Sequence, residues 1–189
     1  MTNLSSVFIK AIKGKESNSL YKAKVLADDI KKFNKLLQAA YSDEWIAVYQ
    51  YSIEGDYLNK MNFAGQLSDK AYNQIVKELN IHIQEEFNHA KLIVPELIKI
   101  GSEPIYQIDM LQLTANAPLA IPEKEQDTIL NQAITAEDQA IKVYSELIKF
   151  VNDTRCTGQN FKDTLKFILD QEHEHKNDLE KLLKEFKGE

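Results

Sequence analysis

The sequence has a single cysteine, Cys156, which excludes an internal disulfide and any paired-cysteine metal or redox motif and fits a reducing compartment. Six glycines and four prolines in 189 residues are too few for the many tight turns of a β-sandwich, and 28% charged residues beside 43% hydrophobic ones suit long amphipathic helices. No apolar run approaches the roughly 20 residues needed to cross a bilayer. The N-terminal stretch MTNLSSVFIKAIKGK lacks a long apolar core followed by a small-residue cleavage site, so the cytoplasm is the expected location. Excess positive charge is missing too: a net charge of -6 and a pI near 5.3 argue against a nucleic-acid binder. The exception is residues 1–24, where Lys10, Lys13, Lys15, Lys22 and Lys24 face only Glu16; the expected role is a solvated arm. A chain of this length fills one core, so residues 25–189 are read as one domain preceded by that extension.

Four long helical segments are present, over about 27–61, 68–100, 123–151 and 160–186. Ser68 is placed to cap the second, Gly101 to end it and Pro104 to follow it. NDTRCTGQN, 152–160, is a short polar turn that folds the third and fourth helices into an antiparallel hairpin. Residues 101–122 hold three of the four prolines and are long enough to travel the length of a bundle. The second and third helices then run parallel, giving an all-α four-helix bundle with one long crossover between helices 2 and 3.

Each apolar stripe contains a carboxylate. Glu44 falls in line with Ile30, Phe33, Leu37, Ala40, Ala47, Val48 and Tyr51 on the first helix, and Glu137 lies among Leu130, Ala133, Ala140, Ile141, Tyr144 and Ile148 on the third. Glu86 and His89 sit within Ile75, Leu79, Ile83, Ala90, Ile93 and Leu97 on the second. Glu172 and His175 sit within Leu165, Ile168, Leu169, Leu179, Leu182 and Leu183 on the fourth. A Glu and a His three apart on a helix project from one face and can close on one metal ion. Four buried carboxylates would repel one another, each at a cost of several kcal/mol. Two divalent cations remove that conflict, with two neutral imidazoles completing the ligand set. A Glu from each of two helices and Glu-x-x-His from each of the others is a di-metal pattern of helical bundles. His82, seven residues before His89, is read as an ordinary helix histidine, with an outer or iron-uptake role as the alternative. His173 and Glu174 are read as solvated.

The segments EWIAVYQY at 44–51, EEFNHAKLIVPELIKIGSEP at 85–104 and LDQEHEHKNDLEKL at 169–182 resemble those of bacterioferritin and of bacterioferritin-like members of the ferritin superfamily, over residues 28–186. The resemblance implies two iron ions per subunit, ligated by Glu44, Glu86, His89, Glu137, Glu172 and His175 with Glu86 and Glu172 bridging, and Tyr51 close by. It further implies oxidation of Fe(II) by O2 or H2O2 and storage of the product in a hollow homo-oligomer. Manganese suits the same ligands. Phe87 stands where bacterioferritin has its haem-binding methionine, so haem is not expected. Only 14 residues follow His175, and they look like the end of the fourth helix, leaving little room for the family's short fifth; a 12-subunit shell is expected in preference to 24. The lone Cys156 does not match the cysteine pair of some Dps-like relatives, and the first helix lacks the histidines of true Dps sites. The rival readings are a rubrerythrin-like peroxidase, a manganese catalase or an oxygenase, and a DNA-protecting Dps-like shell with a vestigial site.

Overall fold

The computed structural model describes residues 18–117, 119–120, 126–154 and 156–187. Among these there are five helices and no strand: α1 (Asn18–Phe63), α2 (Asp69–Lys99), α3 (Ile108–Thr114), α4 (Gln126–Thr154) and α5 (Gln159–Lys187). The four expected long helices are α1, α2, α4 and α5. Helix α1 starts nine residues before Ala27 and runs into the segment read as an extension, because residues 18–26 contain no glycine or proline to stop it. The rest of that basic segment, residues 1–17, lies outside the described residues.

Helix ends follow local chemistry. The Ser68 hydroxyl accepts from the Ala71 N–H at 3.2 Å and caps α2. Gly101, at φ 80°, closes that helix with Ser102 N–H donating to Leu97 O and Gly101 N–H to Ile98 O, both at 2.9 Å. Gly65, at φ 69°, ends α1 in the same way, through Gln66 N–H to Met61 O. Pro95 lies inside α2 on an exposed position, so the Lys91 carbonyl that it leaves without a partner faces water and the helix continues.

Helix α1 packs along α2 and α4, and α5 along α4 and α2, making a square bundle. Tyr51 reaches Glu137 while Tyr144 reaches Glu44, so α1 and α4 are antiparallel. The turn at 64–68 makes α1 and α2 antiparallel, and α2 therefore runs parallel to α4, as the long crossover requires. That crossover is not structureless: α3 interrupts it and buries Leu111 against α1. Three polar side chains of α1 hold it. Gln38 donates to Ser102 Oγ and Glu103 O, Asp43 accepts from the backbone and side chain of Asn116 and from Ala117 N–H, and Gln50 Oε1 accepts from Ala120 N–H.

The core is split in two. One apolar cluster surrounds Phe33, Leu37, Ile93, Leu97, Val151 and Leu165, and the other surrounds Leu58, Ile75, Leu79, Leu130 and Leu179. Between them lies a layer of buried polar side chains. No described helix is long and apolar enough to cross a membrane.

Candidate metal centre

The six acidic and imidazole side chains singled out from the helix stripes meet in that layer. Glu44, Glu86, His89, Glu137, Glu172 and His175 are all at most 3% exposed. They form two overlapping groups, Glu44–Glu86–His89–Glu172 and Glu86–Glu137–Glu172–His175, and within each the four ligand atoms lie within 4.8 Å of one another. Glu86 and Glu172 are common to both. His89 Nδ1 lies 3.0 Å from Glu86 Oε2, 3.0 Å from Glu172 Oε1 and 3.4 Å from Glu44 Oε2. His175 Nδ1 is 3.2 Å from Glu86 Oε1 and 3.7 Å from Glu137 Oε1.

The outer nitrogens of both rings are held. His89 Nε2 donates to Gln171 Oε1 at 3.0 Å, Gln171 Nε2 donates to Glu85 Oε1 at 3.1 Å, and His175 Nε2 donates to Glu85 Oε2 at 2.8 Å. With its outer nitrogen protonated, each neutral ring presents the Nδ1 lone pair inward, toward the carboxylates. The two sides differ: a neutral amide backs His89 and a carboxylate backs His175. Tyr51 and Tyr144, both buried, donate to Glu137 and Glu44 respectively. Tyr51 was legible from its place seven residues after Glu44. Tyr144 stands seven residues after Glu137 and was read only as core; the repeated spacing was the signal that could have found it. Glu85 and Gln171 each precede a ligand glutamate by one residue, and nothing in the stripe pattern marks them.

The charges of this cluster conflict without a cation. Burial, then the neighbouring Glu86 charge, raises Glu44 to about 8, and burial first also raises Glu137 and Glu172. Burial would raise Glu86 too, but the imidazoles of His175 and His89 beside it hold it below the usual carboxylate range. Burial disfavours charge on both histidines, yet the surrounding carboxylates outweigh it, lifting His175 to about 12 and His89 well above the usual imidazole range. Even so, both oxygens of Glu172 and Nδ1 of His175 have no hydrogen-bond partner. Buried acceptors left so at an apolar interface are costly, and a divalent ion in each group is what these donor atoms fit.

The other sequence candidates fall elsewhere. His173 and Glu174 are exposed. His82 is fully buried and stacks on His175 with ring centroids 4.1 Å apart, closer to the centre than an ordinary helix histidine; burial, then the His175 charge, lowers it to about 3. Phe87 faces away from the centre and packs edge-on against Trp45 at 5.5 Å. Cys156 sits in the α4–α5 turn, where it accepts from Thr154. A cavity of about 500 Å³ adjoins the carboxylates between α1, α4 and the crossover, with Asp43, Gln50, Tyr51 and Glu137 in its wall.

A family model described as a ferritin-like domain matches residues 34–188, which take in most of α1, the other three long helices and all six core-facing ligand candidates. The chain belongs to the ferritin-like family. Solved structures agree with this ferritin-like chain in fold. A protein described as a dodecameric thioferritin, the bacterioferritin-related protein of Bacteroides fragilis, is 27% identical with a TM-score of 0.72, covering 88% of this chain and 94% of its own. The bacterioferritin of Desulfovibrio desulfuricans, described with a diiron site in different catalytic states, is 18% identical with a TM-score of 0.70, over 86% of this chain and 84% of its own. Dps from Thermosynechococcus elongatus shares 9% identity with a TM-score of 0.71, over 84% of this chain and 94% of its own. Comparison with curated proteins by sequence gives no match.

Proposed function

We propose that this ferritin-like chain is a ferroxidase, oxidising Fe(II) with O2 or H2O2 at paired positions within one subunit, and that its homo-oligomer stores the ferric product. The observation that carries the reading is the pair of overlapping four-ligand groups sharing Glu86 and Glu172. In it, Glu86 and Glu172 would bridge two ions, Glu44 and His89 would complete one position, and Glu137 and His175 the other. Bound Fe(II) supplies the electrons, two ions giving two electrons together to one O2 or H2O2, with two protons completing H2O2 or two waters.

The protein's own groups do the rest. Four carboxylates balance four positive charges, so the loaded site is close to neutral. Tyr144 holds Glu44 Oε1 and leaves Oε2, the oxygen nearest His89, for an ion, while Tyr51 fixes Glu137 through Oε1, the oxygen that faces His175 and His82 and has a second lone pair to give. Gln171 and Glu85 keep the imidazole lone pairs turned inward. The cavity beside Glu44 and Glu137 gives a small oxidant room to reach the centre. Manganese is the alternative metal, because carboxylate and imidazole accept either ion, and the metal content of the protein as purified decides between them.

Anaerobic titration should saturate at two Fe(II) per chain. Glu86→Ala or His175→Ala should abolish the fast oxidation phase, while Glu174→Ala, on the exposed side of α5, should keep it. Equal rates in all three variants would remove the reading. The same cavity also favours a second one, a soluble di-metal oxidase or peroxidase with a small organic substrate. A monomer or dimer in solution would support that, and a shell of twelve or more subunits would support storage.

A further inference from the structure

A third group of donor atoms, two of whose residues belong to the bridged arrangement, also converges. His82, Glu137 and His175 offer ligand atoms within 4.8 Å of one another, and all three side chains are buried. Neither ring nitrogen of His82 has a hydrogen-bond partner, although the ring is fully buried. An imidazole with both nitrogens orphaned in a core forgoes two hydrogen bonds, a loss that packing alone does not explain. Its Nδ1 points to Glu137 Oε1 at 4.0 Å, too far for a hydrogen bond and suited to two ligands of one ion. Its Nε2 lies 3.6 Å from Glu78 Oε1, whose side chain is 23% exposed.

We propose that His82 is a transit ligand: with Glu137 and His175 it forms a second seat for a divalent cation, on the route by which the ion of the Glu137–His175 position arrives and leaves.

The seat is an alternative to that position and not a third site. Glu85 holds His175 Nε2, so His175 has one nitrogen, Nδ1, to give. An ion on the seat and an ion on the Glu86–Glu137–Glu172–His175 group would need the same lone pair, so only one is filled at a time. Moving between them exchanges the two bridging carboxylates for His82 while Glu137 and His175 stay bound. Glu78 provides the solvent end of the route, as a partly exposed carboxylate next to the ring. The route serves one ion only. Four residues before Glu86 stands His82, but four residues before Glu172 stands Ile168, fully buried in the apolar cluster near the His89 side.

This inference rests on the two-metal reading, and Co(II) separates their tests. Metal-free protein loaded with Co(II) to saturation is mixed with excess EDTA, and loss of the visible cobalt absorption is followed in time. Wild type should hold two ions per chain and lose them in two phases. His82→Phe preserves a flat ring against His175 and removes both nitrogens. It should still hold two ions, with the faster phase slowed on the order of tenfold and the slower one unchanged. Glu78→Gln, which keeps the size of a partly exposed side chain and removes its charge, should slow the same phase to a smaller degree. Wild-type release in either variant would overturn the transit seat, as would the loss of one Co(II) at saturation in His82→Phe, which would make His82 a permanent ligand. Fewer than two ions in wild type would overturn the two-metal reading itself.

Discussion

Glu54 is fully buried, with one oxygen bonded to Gln50 Nε2 at 2.8 Å and the other unpartnered, and burial raises its pKa to about 8. The folded state therefore holds a proton that the unfolded chain releases above about 4.5. Stability from this group is complete below that value and is lost as pH rises through about 8. Glu54→Gln removes the dependence, so the variant should gain on wild type by up to a few kcal/mol between pH 5 and 8. Urea midpoints of the two metal-free proteins check this, and a gap that does not change with pH would refute it. The histidines give a second signed expectation. Both are held protonated without metal, while an ion needs their neutral Nδ1, so loading two divalent ions should release protons and affinity should rise with pH across neutrality. Metal titration in a weakly buffered solution reads the protons directly; none released would mean the imidazoles are not ligands. At this scale the ligand candidates were legible because each interrupts an apolar stripe with charge. Glu54 was not, because the stripe read for the first helix ended at Tyr51, although Glu54 stands three residues after Tyr51 and four before Leu58 on the same buried face.

Helices α2 and α5 were legible to within a residue or two because their stripes are regular and their ends carry Ser68, Gly101 and the polar turn at 152–160. The start of α1 was not, because an apolar stripe marks packing and α1 extends beyond what it packs against. Helix α3 was missed in a segment crowded with proline: its seven residues bury little besides Leu111, too short a run for periodicity to show. What fixes the crossover is long-range and invisible to local patterns. Asp43 alone accepts three hydrogen bonds from Asn116 and Ala117, two of them at 2.6 Å. Asp43→Ala should destabilise the protein by about 1–3 kcal/mol and speed amide exchange at 116–117 while leaving exchange in α5 unchanged. Uniform exchange along the chain would show that Asp43 does not hold the crossover.

At the scale of the whole molecule, the described residues form a bundle of four long helices in which α2 and α4 run parallel. The twelve-subunit shell implied by the sequence resemblance is a proposal for this chain, tested by the mass of the assembly. Native mass spectrometry should give twelve chains, and a 24-mer mass would refute it. The two halves of the chain, α1–α2 and α4–α5, each contribute two glutamates and one histidine to the centre. Each four-ligand group takes three of its members from one half and the fourth, Glu172 or Glu86, from the other. Mechanically, two ions held as proposed would be a pair of rivets set in opposite directions through two hairpins. With both rivets in place the seam between hairpins would not open without breaking carboxylate–metal bonds on each side, so the hairpins would fail together.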